Sequence, residues 1–106
     1  MKFVERVFVI SLEHAPPEVQ ESPGDLDHFL RSRDVEAFET HNSEGLLIDL
    51  ASLTTLTVER KQQKLVVLPV WLVRIIELAW KYDCTMVLLH PDEEIHPDLP
   101  TFDTQK

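Results

Sequence analysis

Ser11 and His14, three apart after a valine- and phenylalanine-rich segment, are the residues best placed to supply a nucleophile and a base, with several aspartates as orienters. Catalysis of that kind needs the serine on a sharp turn beside donors for an oxyanion, and the chain has no Gly-x-Ser-x-Gly elbow. A second chemistry is metal binding. His90 and His96 flank Asp92, Glu93 and Glu94, a nitrogen and carboxylate set of the sort that zinc accepts. Their spacing of six, each followed by proline, matches neither the i, i+4 pair of a helix nor a finger pattern. With Gly24 and Gly45 as the only glycines, phosphate-cradling loops are not expected either. The expectation is therefore no catalytic residue, no metal ligand and no cofactor. A small metal-dependent or acid-base enzyme using His14, His90, Asp92 or His96 is the alternative.

Charge points elsewhere. Nineteen acidic against ten basic side chains give a formal net charge of −9. Direct nucleic-acid binding is disfavoured, because it rests largely on Lys and Arg displacing counterions. The acids concentrate in residues 11–45, nine against two arginines, and in residues 91–106, five against one lysine. Residues 46–83 balance, with Arg60, Lys61 and Lys64 clustered. Exposed carboxylates in such segments attract a basic protein or nucleoprotein complex and can present a field like that of a phosphate backbone. The candidate partner-binding residues are Glu36, Glu39, Glu44, Asp92, Glu93, Glu94 and Asp98. Trp71 joins them, since Trp71 and Trp80 lie about 900 degrees apart at 100 degrees per residue and so point to opposite sides of one helix.

A chain of 106 residues with 43% apolar content is expected to form one domain over residues 1–106, with an acidic C-terminal strap over 91–106. The lone Cys84 has no intramolecular disulfide partner and suits a reducing compartment. Lys2, Glu5 and Arg6 break any secretory apolar core at the N-terminus, and Arg74, Glu77 and Lys81 interrupt the apolar stretch 65–80. A cytoplasmic protein without a membrane span is expected.

The elements follow from patterning. Residues 3–10 read as a strand buried on both faces toward its end. The Ala15-Pro16-Pro17 run ends it, and Ser22-Pro23 offers a cap and first position for a short helix over 23–31. Alternation over 35–40, a turn at 42–45 and the apolar run 46–50 give a hairpin. The threonine-rich segment 52–58 and the polar 59–64 fit either a further hairpin or a helical turn. Leu72, Ile75, Ile76, Ala79 and Trp80 fall at i, i+3, i+4, i+7 and i+8, one apolar stripe of a helix opened by Pro69. The run 85–89 is a buried strand stopped by His90-Pro91. The fold class is α+β: a sheet of about four or five strands, covered on one face, with one main amphipathic helix and one short helix.

The segment Asp83-Cys84-Thr85-Met86-Val87-Leu88-Leu89-His90-Pro91-Asp92, followed by Leu99-Pro100-Thr101-Phe102-Asp103, resembles the C-terminal signature of a small bacterial family of unknown function carried on conjugative plasmids and integrative elements. In that family a helix ends at Gly-Cys, an apolar strand reaches an Asp-x-Asp-Gly turn, and the chain closes with Leu-Pro-x-Phe-Asp-Trp. Ser11 and His14 resemble its N-terminal Ser-x-x-His. This chain has Asp83 for the glycine before the cysteine, His90 and Glu93 in the turn, and Thr104 for the final tryptophan. The resemblance implies a mobile-element setting, in which small acidic proteins bind host defence or regulatory machinery.

Together these readings give a non-enzymatic protein-binding module of mobile-element type. Its sharpest form is a counter-defence inhibitor that sets an acidic surface against a basic nucleic-acid-binding partner. Besides the enzyme, a self-associating structural domain is an alternative, a homodimer through Trp71 or an unpaired edge over 35–41.

Overall fold

The computed structural model describes residues 6–33, 35–39 and 45–102. The chain runs through β1 (Val7–Ser11), a 3-10 turn (Leu12–His14), α1 (Pro17–Glu21), α2 (Pro23–Arg31), β2 (Glu36–Glu39), β3 (Leu46–Asp49), α3 (Ala51–Thr54), α4 (Val58–Leu65), α5 (Val70–Lys81) and β4 (Met86–His90). The strand order is β1-β4-β3-β2. The hairpin is antiparallel, with Ala37 opposite Ile48, while β4 inserts beside β3 antiparallel and β1 parallel. The α+β architecture is thus a four-stranded mixed sheet.

Side chains of one parity form the core. Phe8 and Ile10, Val87 and Leu89, Leu46 and Ile48, and Ala37 are buried across the four strands. Leu26 and Leu30 of α2 and Leu72, Ile75, Ile76 and Ala79 of α5 are buried in the same cluster. The α5 stripe is the one its spacing predicts, except that Trp80 is half-buried at its edge. Trp80 Nε1 donates to Thr54 Oγ1 at 2.9 Å, and the Lys61 ammonium lies 4.9 Å from its ring centroid.

One expectation is corrected and one open reading is decided. β1 is not buried on both faces: Val7 and Val9 are 40% and 42% exposed, because the core lies on the side of the sheet that Phe8 and Ile10 face. Of the two readings open for 52–64, the helical one holds: α3 and α4 are separated by a turn over 55–57, and the threonine hydroxyls are used locally. Thr54 Oγ1 donates to the Leu50 carbonyl at 2.8 Å, and Thr57 caps α4 by accepting from the Arg60 N–H at 3.3 Å. The helices number five among the described residues, with α5 the longest and α2 the short helix behind Ser22-Pro23. Ser22 does hold the N-cap position of α2, yet its hydroxyl makes no capping bond.

The end of α5 shows why glycine suits the position before Cys84. The Cys84 N–H donates to the Ala79 carbonyl at 2.8 Å and the Asp83 N–H to the Trp80 carbonyl at 3.0 Å, a Schellman arrangement with Asp83 at φ 63. A left-handed conformation strains a residue that carries a Cβ. The variant Asp83→Gly is expected to stabilise the fold by about 0.5 to 1 kcal/mol, read from the midpoint of urea unfolding.

Candidate functional site

Ser11 and His14 are both buried, and their polar atoms are used within the chain. Ser11 closes β1, its hydroxyl caps the 3-10 turn by accepting from the Glu13 N–H at 3.0 Å, and its own N–H donates to the Glu94 carbonyl at 3.0 Å. His14 Nδ1 donates to the Pro100 carbonyl at 2.8 Å, while Nε2 accepts from the His96 N–H at 2.8 Å. A carbonyl only accepts and an amide N–H only donates, so these partners fix one neutral tautomer. The Phe102 N–H donates to the Glu13 carbonyl at 2.8 Å, and Gln20 Nε2 reaches the carbonyls of Ala15 and Phe102 at 2.7 and 3.1 Å. The Ser-x-x-His pair and the Leu-Pro-x-Phe segment, far apart in sequence, are therefore two halves of one fastening for the strap. The arrangement positions chain and leaves neither side chain facing a cleft.

The rings of His90 and His96 are used locally. His90 Nδ1 accepts from the Asp92 N–H at 3.2 Å, and His96 Nδ1 from the Asp98 N–H at 3.1 Å. The His96 ring joins an aromatic cluster with Phe8 and Tyr82, centroids 5.5 and 6.1 Å away. Among the described residues no group of three or more His, Cys, Asp or Glu side chains could hold a metal ion. Nor is any helix of the described residues long and apolar enough to cross a membrane.

The candidate partner-binding residues are dispersed. Glu36 is exposed on β2, opposite Asp49 at one end of the sheet. Asp92, Glu93 and Glu94 are exposed beyond the other end, where β4 stops at His90. Asp98 lines a shallow cleft of about 280 Å³ with Arg74, Glu77 and Lys81. Glu39 pairs with Leu46 through the backbone, and nothing further is described for it; Glu44 lies outside the described residues. Trp71 is half-buried where α5 meets α1 and α2, among Pro16, Val19, Leu26 and Phe29, and it also borders Pro100 and Phe102.

What patterning missed is the second face of the sheet. Register places Val9, Leu88, Leu47 and Phe38 side by side, one from each strand, on the parity opposite the core. Val9 and Phe38 are 42% and 47% exposed, and the central pair is half-buried. The row is about 14 Å long at three strand spacings. Next to it run Val7, Met86, Asp49 and Glu36, ending in two carboxylates, and beyond Leu88 lies His90 with the Asp92 carboxylate 4.0 Å from its ring. An apolar centre thus has acids at both ends. Alternation in β1 would have signalled this face, but the unbroken apolar run Val7-Phe8-Val9-Ile10 conceals it. No protein-family model matches this chain, and neither a curated protein nor a solved structure matches it.

Proposed function

We propose that this chain is a non-enzymatic protein-binding module that docks a basic protein on the uncovered sheet face. The observation that carries this reading is the row Val9, Leu88, Leu47 and Phe38, apolar and open to solvent at both ends. Specific interfaces combine a desolvated apolar centre with a polar rim, and here the rim is acidic. A net charge of −9 and carboxylates at both ends oppose a second copy of the same face and favour a cationic partner. A counter-defence inhibitor of mobile-element type, acting in the cytoplasm on a nucleic-acid-binding protein, is the functional form that fits this chemistry.

The test compares wild type with Phe38→Asp and Glu36→Lys, both at exposed positions, in affinity capture from host lysate at low and high salt. A genuine partner is retained by wild type and lost with salt. Its retention falls roughly thirtyfold with Phe38→Asp, as expected for an aromatic contact of about 2 kcal/mol replaced by a charge. Equal retention by wild type and Phe38→Asp would remove the sheet face from consideration. Sedimentation of the free chain as a dimer at micromolar concentration would assign the face to a second copy instead.

A further inference from the structure

Trp71 lines two adjoining clefts, and none of their described lining residues belongs to a strand. The first, about 220 Å³, is walled by Pro16, Val19, Leu26, Phe29 and Pro69, with the exposed carboxylates of Glu18 and Asp25 beside them. The second, about 330 Å³, is walled by Val70, Pro100 and Phe102, with the exposed Arg74. Helices α1, α2 and α5 and the strap thus build one apolar groove with the indole at the junction of its two compartments.

The two tryptophans differ in one respect. Trp80 Nε1 donates to Thr54 Oγ1 at 2.9 Å, whereas the Trp71 indole N–H makes no hydrogen bond among the described residues. An indole N–H only donates, so the groove offers an unused donor on an aromatic floor. Glu18, Asp25 and Arg74 also make no side-chain ion pair among the described residues. A segment in the polyproline conformation meets these features together. Its carbonyls have no internal partner and can accept from the indole, its rings stack on aromatic walls, and it arrives already extended. Two shallow compartments on one ring suit such a chain, which fills them in turn, better than one compact molecule. The carboxylates of the first compartment complement a cationic side chain, and Arg74 in the second opposes one.

We infer that the Trp71 groove docks a proline-rich extended segment of a partner protein, a basic residue of that segment lying over Glu18 and Asp25 and the Trp71 N–H donating to one of its carbonyls. The groove is independent of the sheet face, so either surface can fail its test without the other.

The experiment follows the two tryptophan indole N–H signals by NMR while the full chain is titrated with a synthetic peptide of repeated Pro-Pro-Leu carrying one arginine. The Trp71 signal is expected to shift saturably and the Trp80 signal to stay in place. Trp71→Ala weakens binding at least tenfold, read by anisotropy of the labelled peptide. Should that variant unfold, Glu18→Gln/Asp25→Asn, at exposed positions, weakens binding at least fivefold and abolishes the preference over a peptide with glutamate in place of arginine. Phe38→Asp, on the sheet face, leaves binding unchanged. An unmoved Trp71 signal up to millimolar peptide would overturn the inference, as would equal binding of a peptide with alanine for every proline. A Trp71 signal that moves on dilution of the free chain would give the groove to a second copy and overturn it too.

Discussion

Replacing His14 by alanine is expected to destabilise the fold by about 3 to 4 kcal/mol and to free the segment 91–102 for proteolysis. The magnitude has two sources. The ring is 1% exposed, so its removal leaves a cavity against the 3-10 turn and the strap. It also strands the Pro100 carbonyl and the His96 N–H, each of which costs about 1 to 3 kcal/mol if it stays buried and unpaired. Partial relaxation of the strap toward water limits the total. Conservative variants separate the two bonds. Asparagine reaches the donor position of Nδ1 and glutamine the acceptor position of Nε2, so His14→Asn and His14→Gln each recover part of the loss. Urea unfolding supplies the free energies, and hydrogen exchange over 94–102 shows whether the strap opens alone. If His14→Ala came within 1 kcal/mol of wild type, the strap would be held by Leu99 and the Phe102 bond to Glu13 instead.

Gly45→Val is the second large effect, expected to cost about 3 kcal/mol or more and to broaden the unfolding transition. A Cβ at Gly45 would collide with the Leu89 carbonyl oxygen and crowd the His90 ring and Cα at 3.2 and 3.3 Å. Neither neighbour gives way cheaply. Leu89 belongs to the central strand β4, opposite Leu46 on one side and Ile10 on the other, so a shift there disturbs both pairings. The glycine is required for close approach and not for its backbone freedom, since no described glycine has positive φ. Differential scanning calorimetry with Gly45→Ala alongside tests this. Alanine should cost less than valine, and a neutral Gly45→Ala would show that β3 can slide away from β4.

Local rules recovered the elements whose signals are local. The α5 stripe, the helix behind Ser22-Pro23 and the hairpin each rest on a period or a stop residue within about a dozen positions, and each is present. The segment 51–65 was harder, because threonine favours strands by shape yet can cap a helix through its hydroxyl, as Thr57 does for α4. Of the candidate partner-binding acids, Glu36, Asp92, Glu93, Glu94 and Asp98 are exposed. Composition had no means of ordering them in space. The sheet face escaped because a row of one residue from each strand exists only after register is fixed.

By itself the amino-acid sequence determined an acidic α+β chain, with its main helix, its hairpin and its last strand where hydrophobic period and proline place them. Tertiary structure alone decided that β4 enters between β1 and β3, that Ser11 and His14 fasten the strap, and that the second sheet face stays open. Those outcomes depend on pairings between residues 37 to 86 positions apart, whose cost in chain entropy is recovered only when the whole core closes.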